Sequence, residues 1–152
     1  MEIVNLAENR EHSGKIATWI YDEFVRGIRK GVTLEHVLAS VESCKKDELP
    51  IRYAAIKDGA CVGTVSIFEN DLKPREYTPW LASLYVEVAS RKQKIGERLI
   101  DRVKAKARDM GYDTLYLRTE HASRYYKRLG WTFAETCEDE YGIVTNVFKI
   151  GL

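Results

Sequence analysis

The sequence predicts an α+β domain built on a mixed, mostly antiparallel sheet of about seven strands flanked by about four helices. Three observations carry this. Short runs rich in β-branched and aromatic residues recur along the chain and alternate with segments whose apolar residues return every three or four positions. Two of the strand-like runs, Ile51–Lys57 and Cys61–Phe68, meet at Asp58-Gly59, a dipeptide suited to the backbone of a tight hairpin. The 152 residues contain no linker, internal repeat or low-complexity tract, which predicts one domain over 1–152.

Glu2–Leu6 reads as a short edge strand with Ile3, Val4 and Leu6 as its apolar members. Ile16, Trp19, Ile20, Glu23 and Phe24 form an amphipathic stretch at helical spacing. A second helix starts at Thr33, a suitable N-cap, and runs through Leu34, Val37, Leu38 and Val41, and Pro50 closes the helical region. Beyond the hairpin, Asn70–Pro79 is a loop holding Pro74 and Pro79. Trp80–Val88 is a nearly continuous apolar run, as expected of a strand buried on both faces. Ile95–Met110 is a long helix, because Ile95, Leu99, Val103 and Ala107 fall at successive i+4 positions and Gly111 supplies the stop. Thr114–Thr119 alternates as a strand, and Ala122–Leu129 is a short helix closed by Gly130. Trp131–Thr136 and Ile143–Ile150 make a final antiparallel pair.

A composition of 45% hydrophobic and 31% charged residues excludes collagen-like and wholly disordered classes. The longest uncharged stretches, Gly59–Phe68 and Tyr77–Val86, are ten residues each, against the ~20 needed to cross a bilayer. Glu2 follows Met1 at once, with no leader-like apolar run, so a soluble cytoplasmic protein without a membrane partner is expected. Cys44, Cys61 and Cys137 include no C-x-x-C pair, which argues for reduced thiols and against a disulfide framework or a metal site. The net charge of +1 conceals an asymmetry: Arg91–Arg128 holds twelve Lys/Arg and five Asp/Glu, while the remainder holds twelve and eighteen. One segment therefore suits a polyanion and the rest leans towards cations.

The chemistry concentrates where Leu84-Tyr85-Val86 leads through a short loop into Arg91-Lys92-Gln93-Lys94-Ile95-Gly96 and the long helix. A strand turning into a helix at a glycine leaves backbone N–H groups unpaired at the positive end of the helix dipole, where a phosphate is favoured. Arg91, Lys92 and Lys94 add charge at the same end.

Here the chain resembles the GNAT superfamily of acetyl-CoA-dependent N-acyltransferases. The family signature Arg/Gln-x-x-Gly-x-Gly/Ala falls on Arg91 to Gly96, and an aromatic-Tyr pair three residues before Gly-Phe/Trp falls on Tyr125-Tyr126-Lys127-Arg128-Leu129-Gly130-Trp131. The element order matches over nearly the whole sequence, and Thr78–Val86 looks like one branch of the family. There is one departure: Lys94 replaces the first signature glycine, a costly exchange where a positive φ is needed, although its ammonium is within reach of phosphates.

The resemblance implies acetyl-CoA as cosubstrate, its pantetheine arm along Leu84, Tyr85 and Val86 and its diphosphate on Arg91, Lys92, Gln93, Lys94, Ile95 and Gly96. It implies Tyr126 as the general acid that protonates the thiolate, and a primary amine of a small molecule or peptide as acceptor. The general base is left open. Glu120 and His121 are the nearest ionisable residues, but their place in the loop before the last helix favours capping or surface roles over catalysis, and Tyr116 stands where some relatives carry a Glu. The acidic remainder of the chain suits a cationic acceptor such as an aminoglycoside, a polyamine or an N-terminal amine. A catalytically silent acyl-CoA sensor is an alternative. A nucleic-acid-binding module is another, disfavoured because Arg98, Arg102, Lys104, Lys106 and Arg108 scatter around their helix without interleaved aromatic residues. No nucleic-acid partner is expected, and a homodimer is compatible with the sequence.

Overall fold

The computed structural model describes all 152 residues. One seven-stranded sheet runs in the order β1-β2-β3-β4-β5-β7-β6. Its strands are β1 (Glu2–Asn5), β2 (Ile51–Lys57), β3 (Ala60–Phe68), β4 (Trp80–Val86), β5 (Thr114–Thr119), β6 (Thr132–Glu138) and β7 (Val144–Gly151). All neighbours are antiparallel except β4 and β5. Four α-helices accompany the sheet: α1 (Ser13–Ile20), α2 (Leu34–Glu42), α3 (Ile95–Asp109) and α4 (Ser123–Arg128). This is the predicted mixed, mostly antiparallel α+β architecture.

Side-chain alternation along β2 sorts the core into two layers. Ile51, Tyr53 and Ala55 pack with Leu99, Ile100, Val103 and Ala107 of α3 on one face. Ala54 packs with Ile16, Ala17, Val37 and Val41 of α1 and α2 on the other. Local signals behave as their chemistry dictates. Asp58 and Gly59 both take positive φ, 51° and 80°, as a two-residue hairpin turn of this hand requires. Thr33 and His36 form a reciprocal cap: the His36 N–H donates to Thr33 Oγ1 and the Thr33 N–H donates to His36 Nδ1, each at 3.1 Å.

Three expectations are corrected. The stretch Ile16–Phe24 is not one α-helix: α1 stops at Ile20 and the chain widens into a π-turn over Tyr21–Val25, where the Arg26 N–H donates to the Tyr21 carbonyl at 2.7 Å. Leu6 leaves the first strand, because the Asn5 side chain accepts the Ala7 N–H at 2.9 Å and starts a 3₁₀ turn. The apolar run Trp80–Val88 is buried only at Trp80, Leu81 and Ala82, and Val88 sits in a 3₁₀ turn, 71% exposed. The cause lies in the neighbouring strand. β5 pairs with β4 only at Trp80↔Tyr116 and then diverges, so Ser83–Val86 lack the cover that a continuous sheet would give.

Candidate active site

The site begins at this divergence. Between Thr64↔Tyr85 and Ser66↔Ala82, β4 carries one residue more than β3, and Ser83 takes φ 53° to accommodate it. Such a bulge bends its strand and sharpens the twist. Beyond it, Leu84, Tyr85 and Val86 are half-buried and have a strand beside them on the β3 side alone. The backbone groups aimed towards β5 have no ladder partner there, and such groups seek one.

The open strand leads directly into the loop that precedes α3. Lys92 and Lys94 both adopt left-handed backbone, φ 64° and 63°. Alternating backbone of this kind turns successive N–H groups into one concavity. None of the N–H groups of Lys92, Gln93, Lys94, Ile95, Gly96 and Glu97 donates to an acceptor in the protein; the first that does is Arg98, to the Lys94 carbonyl at 3.1 Å. Six free donors thus cluster at the positive end of a fifteen-residue helix. Lys94, in place of the signature glycine, holds the conformation glycine would hold, at a cost of about 1 kcal/mol.

The loop is tied at both ends. Arg91 Nε donates to the Val86 carbonyl at 2.9 Å with its guanidinium over the Tyr85 ring, and Lys57 Nζ donates to Gln93 Oε1 at 2.5 Å. Arg91, Lys92, Gln93 and Lys94 are exposed, whereas the Ile95 side chain is buried in the core and offers only its backbone. A Cβ at Gly96 would lie 3.1 Å from Tyr125 Oη, so glycine here lets α4 close over the first turn of α3.

On α4, Tyr126 is buried and packs edge-on against Tyr125 and Trp131. Its hydroxyl has no protein partner, and burial, with Tyr125 beside it, lifts its pKa well above the ordinary phenol value. It stays protonated throughout the neutral range. Tyr126 lines a cavity of about 450 Å³ that also reaches Leu81–Leu84 of β4, so the splayed strand and the tyrosine face the same space.

That cavity lies between the sheet and the α1–α2 layer and is electrically mixed: Glu23, Asp71 and Glu120 line it together with Arg29, Arg52 and Arg118. Arg118 is committed. Its Nη2 donates to Asp139 Oδ2 at 2.9 Å, and Asp139 in turn accepts the Tyr141 and Ile143 N–H groups that shape the β6–β7 turn. Glu120 is held at the rim by Thr145 Oγ1, 2.5 Å, and Arg118 Nε, 3.7 Å. Asp71 makes no ion pair; burial raises its carboxyl to about 6, against the pull of Arg118 and Arg29. Arg52 is 3% exposed, and its Nη1 has no hydrogen-bond partner.

Of the ionisable residues identified from the sequence, Glu120 and His121 line the cavity. Tyr116 does not; it stacks on Tyr77 with ring centroids 4.9 Å apart. Asp71 and Arg52 carried no sequence signal. Asp71 lies in an irregular loop, and Arg52 occupies a strand position like any other until the helical layer covers it.

The fold is shared with known proteins. The model of the Acetyltransferase (GNAT) family matches residues 15–131. No curated protein matches the chain. Among solved structures, an aminoglycoside 6'-N-acetyltransferase complexed with coenzyme A superposes with a TM-score of 0.77 at 17% identity, covering 99% of this chain and 97% of that one. The ribosomal-protein-alanine N-acetyltransferase from Brucella melitensis superposes with a TM-score of 0.75 at 19% identity over 100% of both chains. A GNAT-family acetyltransferase from Staphylococcus aureus Mu50 does so with a TM-score of 0.73 at 18% identity over 99% of both. The family match takes in the splayed strand, the loop of free N–H groups and the tyrosine helix alike, and on that ground the chain belongs to the GNAT family of acetyltransferases.

Proposed function

We propose that residues 1–152 form one catalytic domain that transfers an acetyl group from acetyl-CoA to a primary amine of a small molecule or peptide. The observation that carries this reading is the run of six unpartnered N–H groups at Lys92–Glu97, continuous with the open edge of β4. Those groups fit a diphosphate, with Arg91, Lys92 and Lys94 adding countercharge. The edge at Leu84, Tyr85 and Val86 fits an extended amide-bearing arm, which it would bind as an added strand. When bound, the coenzyme supplies an acetyl group activated as a thioester.

The protein does the rest. An N–H on the β4 edge stabilises the oxyanion that forms as the amine attacks. The acceptor's ammonium gives up one proton to solvent before it attacks. Tyr126 Oη then donates its proton to the departing sulfur and recovers one from the new amide nitrogen, a role that fits its protonated state and its place on the cavity wall. Glu23, Asp71 and Glu120 draw the acceptor's ammonium into the cavity. Small-molecule amines as acceptors accord with the aminoglycoside acetyltransferases whose fold the chain shares.

The second reading, a catalytically silent acyl-CoA sensor, is favoured by one observation: neither β4 nor β5 carries a carboxylate to act as base. Thiol release from acetyl-CoA across a panel of amines separates the two. Transfer predicts release with at least one amine, and a Tyr126→Phe variant that loses about 10²-fold or more in kcat while its acetyl-CoA affinity is kept. Acetyl-CoA binding without release from any amine is the sensor's result. Unchanged turnover in Tyr126→Phe removes the tyrosine from the mechanism.

A further inference from the structure

Arg52 is the charged group in the cavity that the fold itself leaves unexplained. It lies in β2, opposite Ser66 of β3, which lies opposite Ala82 of β4. One long cationic side chain therefore shares a cross-strand row with two small residues, beside the point where β4 opens at Ser83. On its own strand it has the parity of Ala54 and faces the side of the sheet covered by the apolar α1–α2 layer. Its guanidinium stands 5.8 Å from the Phe68 ring centroid, makes no ion pair, and has Nη1 buried without a hydrogen bond. A buried, unpaired charge destabilises a folded protein. Arg118, which lines the same cavity, shows the ordinary solution, a carboxylate at 2.9 Å. Arg52 lacks one, although it lines the cavity wall.

We infer that Arg52 is the receptor for a carboxylate on the acceptor, so that the amine substrate is an aminocarboxylate, an amino acid or short peptide, and not a polycation. This deepens the acetyltransferase reading and rests on it. The geometry of the cavity suits a zwitterion: three carboxylates and three guanidiniums line it. Its volume, about 450 Å³, is small within the usual range for small-molecule sites and has room for a molecule of one or two residues. An arginine fork binds a carboxylate through two parallel hydrogen bonds, which a lysine cannot reproduce. With the carboxylate at Arg52 and the ammonium near Asp71 and Glu120, the substrate lies between β2 and the open half of β4.

The test compares matched pairs: β-alanine with ethylamine, 4-aminobutyrate with propylamine, and alanylglycine with alaninamide. For each, thiol release from acetyl-CoA gives kcat/KM, and calorimetry gives binding to the CoA-saturated protein. The expected result is a preference for the carboxylate member in at least one pair, reduced about 10- to 100-fold by Arg52→Met and partly restored by Arg52→Lys. Arg52→Met is also expected to raise the melting temperature without ligand, since it removes an unpaired buried charge; a purely structural arginine would give the opposite.

Release from the plain amines with no carboxylate preference, in wild type and Arg52→Met alike, overturns the carboxylate site and leaves the acetyltransferase reading standing. Arg52-dependent binding of an aminocarboxylate without thiol release supports the site and counts against transfer. Neither binding nor release with any pair overturns both.

Discussion

Single residues here are placed against their own stability where the site needs them. Lys94 holds a left-handed backbone, Ser83 does the same at the bulge, and Asp71 and Arg52 face the cavity without ion-pair partners. Asp71 gives the sharpest prediction. Its carboxyl titrates near 6 in the folded chain because burial disfavours the charge, and nearer 3.8 when unfolded. A folded pKa above the unfolded one adds stability that is full below pH 4 and lost as pH rises through 6. Asp71→Asn should therefore be more stable than wild type at pH 7, by about 1–3 kcal/mol, with the difference fading between pH 6 and 4. Denaturation across that pH range checks it; a variant less stable at pH 7 would show that the carboxylate has a partner. None of this was visible in the sequence. Ile51–Lys57 reads as a strand in which nothing marks Arg52, and only the helical layer, distant in sequence, makes that position interior.

At the scale of elements, the sequence predicted most of what local chemistry decides. Asp58-Gly59 marks the hairpin because both positions need positive φ, and Thr33 marks the start of α2 because its hydroxyl satisfies a free N–H. Elements decided by distant neighbours read less well. β4 looks uniformly buried because its residues are apolar, yet its second half is open because β5 leaves it. The loop before α3 was legible from Gly96 and the basic residues; the left-handed geometry at Lys92 was not. The loop keeps its place only if α3 seats closely on the sheet, and Gly63 of β3 permits this. A Cβ there would sit 3.1 Å from the Tyr85 carbonyl oxygen and 3.2 Å from Leu99 Cδ1. One obstacle is backbone and cannot swing away, so Gly63→Ala should cost about 1–3 kcal/mol and weaken coenzyme binding by moving α3 or β4. A variant with unchanged denaturation midpoint and unchanged acetyl-CoA affinity would show that this contact positions nothing.

For the whole molecule, the two core layers set the two halves of the proposed site against one sheet. α3 and its apolar stripe fix the loop of free N–H groups on one face, while α1, α2 and the π-turn wall the cavity on the other. In the proposed reading, the splay between β4 and β5 is where the two ligands meet. The charge asymmetry in the sequence fits this division only in part. Basic residues of 91–128 do gather at the loop, but Lys106 pairs with Asp47 at 2.8 Å and Arg102 lies over the Tyr53 ring. The central claim concerns six backbone amides, and backbone amides can be observed directly. In a ¹⁵N-labelled sample titrated with coenzyme A, the account predicts that the resonances of Lys92–Glu97 shift most, together with those of Leu84, Tyr85 and Val86, and saturate at one equivalent. Coenzyme binding that leaves Lys92–Glu97 unperturbed, or no perturbation anywhere at saturating coenzyme, would contradict it.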